Sequence, residues 1–237
     1  MFAIMQKETN LNEFEKKIGI TFKNKDLLLQ AFTHRSYLNE HPESKIRDNE
    51  RLEFLGDAVL ELATTTFLYD RFTDKAEGEL TGLRAALVNT RQLAVCAREL
   101  GLNDYLRLSR GEMKDEGRAR DVILANAFEA LLGAIYLDQG YEVVRDFTAA
   151  EIFGRVDDIV ARGLWLDPKS RFQERAQEIL GLTPSYRVLR ESGPDHSKQF
   201  TVGLFIGEEE VAQGIGSSKQ EAEEYAAREG LGRRGWA

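Results

Sequence analysis

The chain has 237 residues, 42% hydrophobic and 30% charged, enough for one large domain or two modest ones with real cores. Its 32 Lys and Arg stand against 40 Asp and Glu, a net charge of −8, so no overall basic field advertises a nucleic-acid partner, and charge alone argues against RNA or DNA. The single cysteine, Cys96, excludes an internal disulfide and fits a reducing, cytoplasmic setting, while the absence of any 18-residue apolar run and of a leader-like pattern in MFAIMQKETN argues against membrane and secretion.

From about residue 11 to 161 the apolar residues recur at helical spacing, as in Leu52, Leu55, Val59 and Leu62, and alternating β-branched stretches are scarce. This pattern predicts an all-α domain over residues 1–161, with helices near 11–17, 25–33, 50–70, 79–100, 121–138 and 142–161. HPESKIRDN and SRGEMKDEGR read as loops. Gly163 and Pro168 then interrupt the helical pattern, which places a linker at 162–166, and Asp167 is suited to cap a helix that has Pro168 at its first position. Residues 167–237 read as a small α+β module of order α-β-β-β-α: a helix at 168–180, three alternating stretches, and a helix at 218–231.

On the predicted helix NERLEFLGDAVLEL, Glu50, Glu53 and Asp57 fall within an arc of about 60° at 100° per residue. Like charges so placed repel one another unless a cation offsets them, and hard oxygen clusters suit Mg²⁺. A solvated acidic face is the plainer reading of an isolated stripe. Gly56, inside the same apolar helix, costs about 1 kcal/mol against alanine and signals the close approach of another backbone. On DVILANAFEALLGAIYLD, Asn126 and Glu129 stand three residues apart in an otherwise apolar helix and need partners. If the two helices pack, Glu53, Asp57, Asn126 and Glu129 converge into an oxygen-rich cage with Glu50 at its edge; otherwise Asn126 is an interhelical hydrogen-bonding residue and Glu129 an ion-pair partner. The arithmetic favours neither.

NERLEFLGDAVL at 49–60 resembles the signature of bacterial ribonuclease III, and THRSY at 33–37, EGELTGLRAALVN at 77–89, the SRGE loop at 109–112 and ILANAFEALLGAIYLDQG at 123–140 follow in that family's order. The resemblance covers the whole chain and implies a helical endonuclease domain that forms a homodimer and cuts both strands of double-stranded RNA. It also implies 5′-phosphate and 3′-hydroxyl ends, short 3′ overhangs, and precursor rRNA and other structured transcripts as substrates. By it, Glu53, Asp57 and Glu129 become metal-binding carboxylates for Mg²⁺, with Mn²⁺ as an alternative ion and no small-molecule cofactor. Asp57 and Glu129, with Glu50 and Glu77 at the edge of the cleavage valley, become the catalytic acids. Asn126 stands where the family most often has Asp; it is neutral, cannot act as a base, and lowers the charge of the cage by one. We expect it to stay in the site as a neutral ligand or through a water, leaving an active enzyme. The alternative is a duplex-binding protein whose cleavage is weakened or lost. Phe54 points about 100° off the carboxylate stripe; it is either a core residue or, as the resemblance implies, an aromatic that inserts into the partner subunit.

Residues 167–232 resemble a double-stranded RNA-binding domain. The resemblance implies minor-groove contacts from Ser170, Gln173 and Glu174 on the first helix and from His196 in the loop SGPDHSK, and phosphate contacts from Ser217, Ser218 and Lys219 at the start of the last helix. Residues 167–237 hold 10 basic and 12 acidic residues, with Gln220 where a second lysine is common, so modest affinity and a shallow salt dependence are expected of this module.

Overall fold

The structure, a computed structural model, describes residues 11–114, 116–163, 165, 167–194 and 198–236. The chain divides into two compact units, with the boundary between residues 165 and 166.

The first unit is helical: α1 (Leu11–Ile18), α2 (Lys25–Ala31), α3 (Arg35–Glu40), α4 (Glu50–Arg71), α5 (Glu77–Leu87), α6 (Thr90–Glu99), α7 (Gly117–Gln139), α8 (Tyr141–Glu151) and α9 (Val156–Ala161). α7 is the central helix, and α4, α6, α2 and α8 pack around it. Its residues Leu124, Phe128, Leu131, Leu132 and Ile135 are all but inaccessible. Each Leu or Phe so buried contributes roughly 1.5–3 kcal/mol, which explains why a helix with so few polar positions sits in the middle of the unit. No described helix is long and apolar enough to cross a membrane.

Three local features depart from the sequence reading. The helix expected over 79–100 is two helices, because Asn89 turns extended (φ −72°, ψ 160°) and its side-chain oxygen accepts the Gln92 N–H at 3.0 Å, capping α6. The helix expected over 142–161 breaks at Ile152 into a 3₁₀ turn, Phe153–Arg155, at Gly154. The short α3 went unexpected; its cap is His34, whose Nδ1 accepts the Ser36 N–H at 3.3 Å, and histidine is not among the usual capping residues.

The second unit runs α10 (Pro168–Leu180), β1 (Pro184–Ser192), β2 (Gln199–Ile206), β3 (Glu209–Gly216) and α11 (Lys219–Arg234). The three strands form one antiparallel sheet in the order β1-β2-β3, with Val188 opposite Val202 and Gly203 opposite Gln213. Asp167 caps α10, accepting the Lys169 and Ser170 N–H groups at 3.3 and 3.0 Å, with Pro168 at the first helical position. Phe172 and Ala176 of α10, Leu204 and Ile206 of β2, and Ala226, Ala227 and Leu231 of α11 make the core. The sequence pattern of an all-α domain followed by a small α-β-β-β-α module is therefore the observed architecture.

Candidate functional site

α4 and α7 cross with their backbones in contact. A Cβ on Gly56 would lie 1.7 Å from the Glu129 carbonyl oxygen, and one on Gly133 would lie 2.2 Å from the Leu52 carbonyl oxygen. Only glycine allows this approach at both positions. Leu52, Val59, Leu60 and Ala63 of α4 are buried toward the core. Glu53 and Asp57 are left on the rim of the crossing, facing Asn126 and Glu129 of α7.

Burial and like charge set the electrostatics there. Glu129 is half-buried, and its carboxyl is pushed up to about 7, first by loss of solvent and then by the charges of Asp57 and Glu53. Among the described residues no Lys or Arg pairs with it. Glu53 is raised by burial and by Glu50 and Asp57, while a hydrogen bond from the Asn126 amide partly opposes the rise. Glu50 is exposed at the start of α4 and pairs with Arg35 at 3.2 Å. The structure thus brings Glu53, Asp57, Asn126 and Glu129 within mutual electrostatic reach, with Glu50 beside them. Glu77 is exposed at the head of α5, where it accepts the Thr81 hydroxyl at 3.2 Å, and it is not among the charges that act on Glu53 or Glu129. Asp121, on another face of α7, pairs with Arg98. In the conformation observed, no three His, Cys, Asp or Glu side chains among the described residues gather closely enough to hold a metal ion. The chemistry of the donor set nevertheless fits a hard divalent cation: three carboxylates and an amide oxygen, with Glu129 half-buried and not neutralised by any Lys or Arg among the described residues.

Several residues that the sequence reading did not single out hold this site in place. Asn49 is buried; its N–H donates to the Thr33 carbonyl at 2.9 Å and its side-chain amide to the Ala31 carbonyl at 3.2 Å, while its own carbonyl accepts the Glu53 N–H. The first turn of α4 is thereby tied to the α2–α3 corner. That corner is tied in turn to the 107–110 segment: Arg107 donates to the Tyr37 hydroxyl at 2.6 Å and lies over its ring, and the Ser36 hydroxyl accepts the Ser109 N–H at 3.0 Å. These partners are about 70 residues apart in sequence, so no local pattern could have paired them.

Phe54 is 81% exposed, which rules out the core reading for it in this chain. On the same outer face of α4, within an arc of about 80°, stand Ala58, Leu62, Thr65 and Tyr69, all exposed.

In the second unit Ser170, Gln173 and Glu174 are exposed together on one face of α10, with the Ser170 hydroxyl donating to Asp167 at 2.5 Å. Ser217, Ser218 and Lys219 are exposed at the head of α11. The Ser218 hydroxyl accepts the Glu221 N–H at 3.1 Å, and both the N–H and the hydroxyl of Ser217 donate to the Glu221 carboxylate at 2.7 and 2.5 Å. His196 lies outside the described residues.

Comparison with known proteins agrees with this division. A Ribonuclease-III-like family model matches residues 24–156, and a Double-stranded RNA binding motif matches residues 168–232. The chain is 46% identical over 222 residues to Ribonuclease 3 of Oceanobacillus iheyensis, which covers 94% of this chain and 97% of that one. The chain belongs to the ribonuclease III family. It is accordingly an endoribonuclease. Ribonuclease 3 of Chloroflexus aurantiacus is 46% identical over 223 residues, covering 93% of this chain and 90% of its own length. A solved nuclease domain of ribonuclease III from Campylobacter jejuni, described for flexibility in a region involved in dimer formation, is 40% identical with a TM-score of 0.54, over 60% of this chain and 94% of that one. The ribonuclease III match takes in both α4 and α7, and therefore the whole carboxylate crossing.

Proposed function

We propose that this chain hydrolyses both strands of double-stranded RNA with a divalent cation, Mg²⁺ or in its place Mn²⁺, held by Glu53, Asp57, Glu129 and Asn126. The products carry 5′-phosphate and 3′-hydroxyl ends with short 3′ overhangs. The substrates are precursor rRNA and other structured transcripts in the cytoplasm. The observation that carries this reading is the α4–α7 crossing, where a half-buried Glu129, paired with no Lys or Arg among the described residues, faces Glu53 and Asp57. When bound, the cation supplies a water of lowered pKa and stabilises charge on the scissile phosphate and the leaving 3′ oxygen. The carboxylates hold it in position, and Glu50 and Glu77 line the edge of the valley. The Asn126 amide oxygen completes the donor set while its N–H holds Glu53. Ser170, Gln173, Glu174 and His196 read the minor groove, and Ser217, Ser218 and Lys219 meet phosphate.

The test is a labelled duplex and its single strand incubated with the protein over a Mg²⁺ titration, with analysis of the product ends. The duplex is cut and the single strand is spared. Duplex that is bound but uncut at every Mg²⁺ concentration would leave only the binding-protein reading. The same titration on Asn126→Asp should lower the half-saturating Mg²⁺ concentration by about tenfold, since a fourth carboxylate near the ion adds a full charge at close range.

The working unit is a homodimer, and the support is Phe54, a large aromatic 81% exposed on the outer face of α4. Phe54→Ala removes this anchor and should shift the protein toward the monomer in light scattering at micromolar concentration, with its helical circular dichroism at about 25 °C unchanged. An unchanged dimer mass would count against this role for Phe54.

A further inference from the structure

Beside the proposed phosphate contact at the head of α11 stands a carboxylate with no part in the function proposed so far. Glu191, near the end of β1, offers one oxygen to each of two lysines: Oε2 lies 2.9 Å from Lys198 Nζ and Oε1 lies 3.5 Å from Lys219 Nζ. Lys198 borders the β1–β2 loop and Lys219 opens α11, so one carboxylate draws together cations from two segments. Both ammonium groups also lie 5.7 Å from the centre of the Phe200 ring, which forms a common floor beneath them. The lysines in turn hold the Glu191 carboxyl below its usual range, Lys198 first through its hydrogen bond. The arrangement of one anion bridging two ammonium groups at a helix start is what a backbone phosphate would adopt there.

We propose that Glu191 is an internal stand-in for an RNA phosphate, and that it sets the affinity of this chain for duplex RNA by making phosphate displace it from Lys198 and Lys219. The inference rests on the reading of the second unit as a duplex binder. Within this triad two lysines and one glutamate sum to +1 where the lysines alone would sum to +2. The three groups are exposed by 38–58%, so the exchange costs little and stays reversible. Glu191 in this way adds to the weak binding expected from the composition of this unit: the two lysines beside the head of α11 are already engaged.

The experiment is fluorescence anisotropy of a labelled RNA duplex with the full chain in EDTA, over a range of salt concentrations. The wild type is compared with Glu191→Gln and with Glu208→Gln, a control carboxylate 93% exposed beside Arg187. Glu191→Gln should bind about threefold tighter at low salt, the scale of an exposed ion pair released. Its salt slope should also be steeper, by up to about one phosphate contact. Glu208→Gln should match the wild type in both, and the three melting temperatures should agree within about 2 °C. A merely structural Glu191 would not steepen the slope. A wild type that binds, with Glu191→Gln equal or weaker, overturns the inference alone, as does equal tightening by Glu208→Gln. A wild type that binds no duplex overturns the duplex-binding reading as well.

Discussion

Glu129→Gln should cut the rate of duplex cleavage on the order of 10³-fold or more, the loss of several kcal/mol of transition-state stabilisation, while making the metal-free protein more stable at neutral pH. The two effects have one origin. The folded protein holds the Glu129 carboxyl up to about 7, above its ordinary value of 4.5, because it is half-buried beside Asp57 and Glu53. A carboxyl raised by folding contributes stability below its unfolded pKa and loses that contribution as pH rises through the folded value. Wild type in EDTA should therefore match Glu129→Gln near pH 4.5 and fall behind it by pH 8, by up to about 3 kcal/mol, a ceiling set by the size of the shift. Thermal melts of both proteins at the two pH values read this directly. A glutamine that neither abolishes cleavage nor stabilises the metal-free protein would mean that Glu129 is an ordinary rim residue.

Gly56→Ala is the second substitution of large effect, and it acts through packing. The added methyl would sit 1.7 Å from the Glu129 carbonyl oxygen and 2.9 Å from the Gly133 nitrogen, both backbone atoms that cannot turn aside. α4 and α7 would have to separate, at a cost of roughly 3–5 kcal/mol, which for a domain of ordinary stability leaves little margin. Because the same separation draws Glu53 and Asp57 away from Asn126 and Glu129, the folded fraction should also cleave poorly. Gly78→Ala in α5 is the fitting control: no described residue lies within 4 Å of the new Cβ, and replacing a helical glycine should stabilise by up to about 1 kcal/mol. Urea denaturation of the two variants separates them by sign.

Much of this architecture was legible because periodicity reports burial. α4 and α7 stand out as long apolar helices, Gly56 signals the backbone contact that the structure places against Glu129, and Asp167 with Pro168 marks the start of α10. The breaks at Asn89 and Ile152 were missed because the apolar pattern runs on across both; the local signals were Asn89 as a cap and Gly154 as a breaker. Nor could α3 be read, with a histidine as its cap. At the site, the acidic stripe and the two polar positions of α7 could be placed on helix faces by angle alone. For Phe54 the angle off the stripe fits core and surface alike, so only the resemblance pointed to a partner-facing position until the neighbouring helices were in place. The ties that hold the site, Asn49 to the Thr33 and Ala31 carbonyls and Arg107 to Tyr37, join segments far apart in sequence and leave no periodic trace. The net charge of −8 misled most, because it averages over surfaces with different tasks. Acidic residues that seem to repel RNA are the ones proposed to hold its cation, which inverts the local field once bound.

The proposed cleavage stands on a divalent cation held between α4 and α7. Crystals soaked in Mn²⁺ and measured for anomalous scattering test it most directly. A peak is expected within about 2.5 Å of carboxylate oxygens of Glu53, Asp57 and Glu129, and it is lost in Glu129→Gln crystals. Crystals of protein that cleaves duplex RNA with Mn²⁺ but shows no peak at that crossing would contradict it.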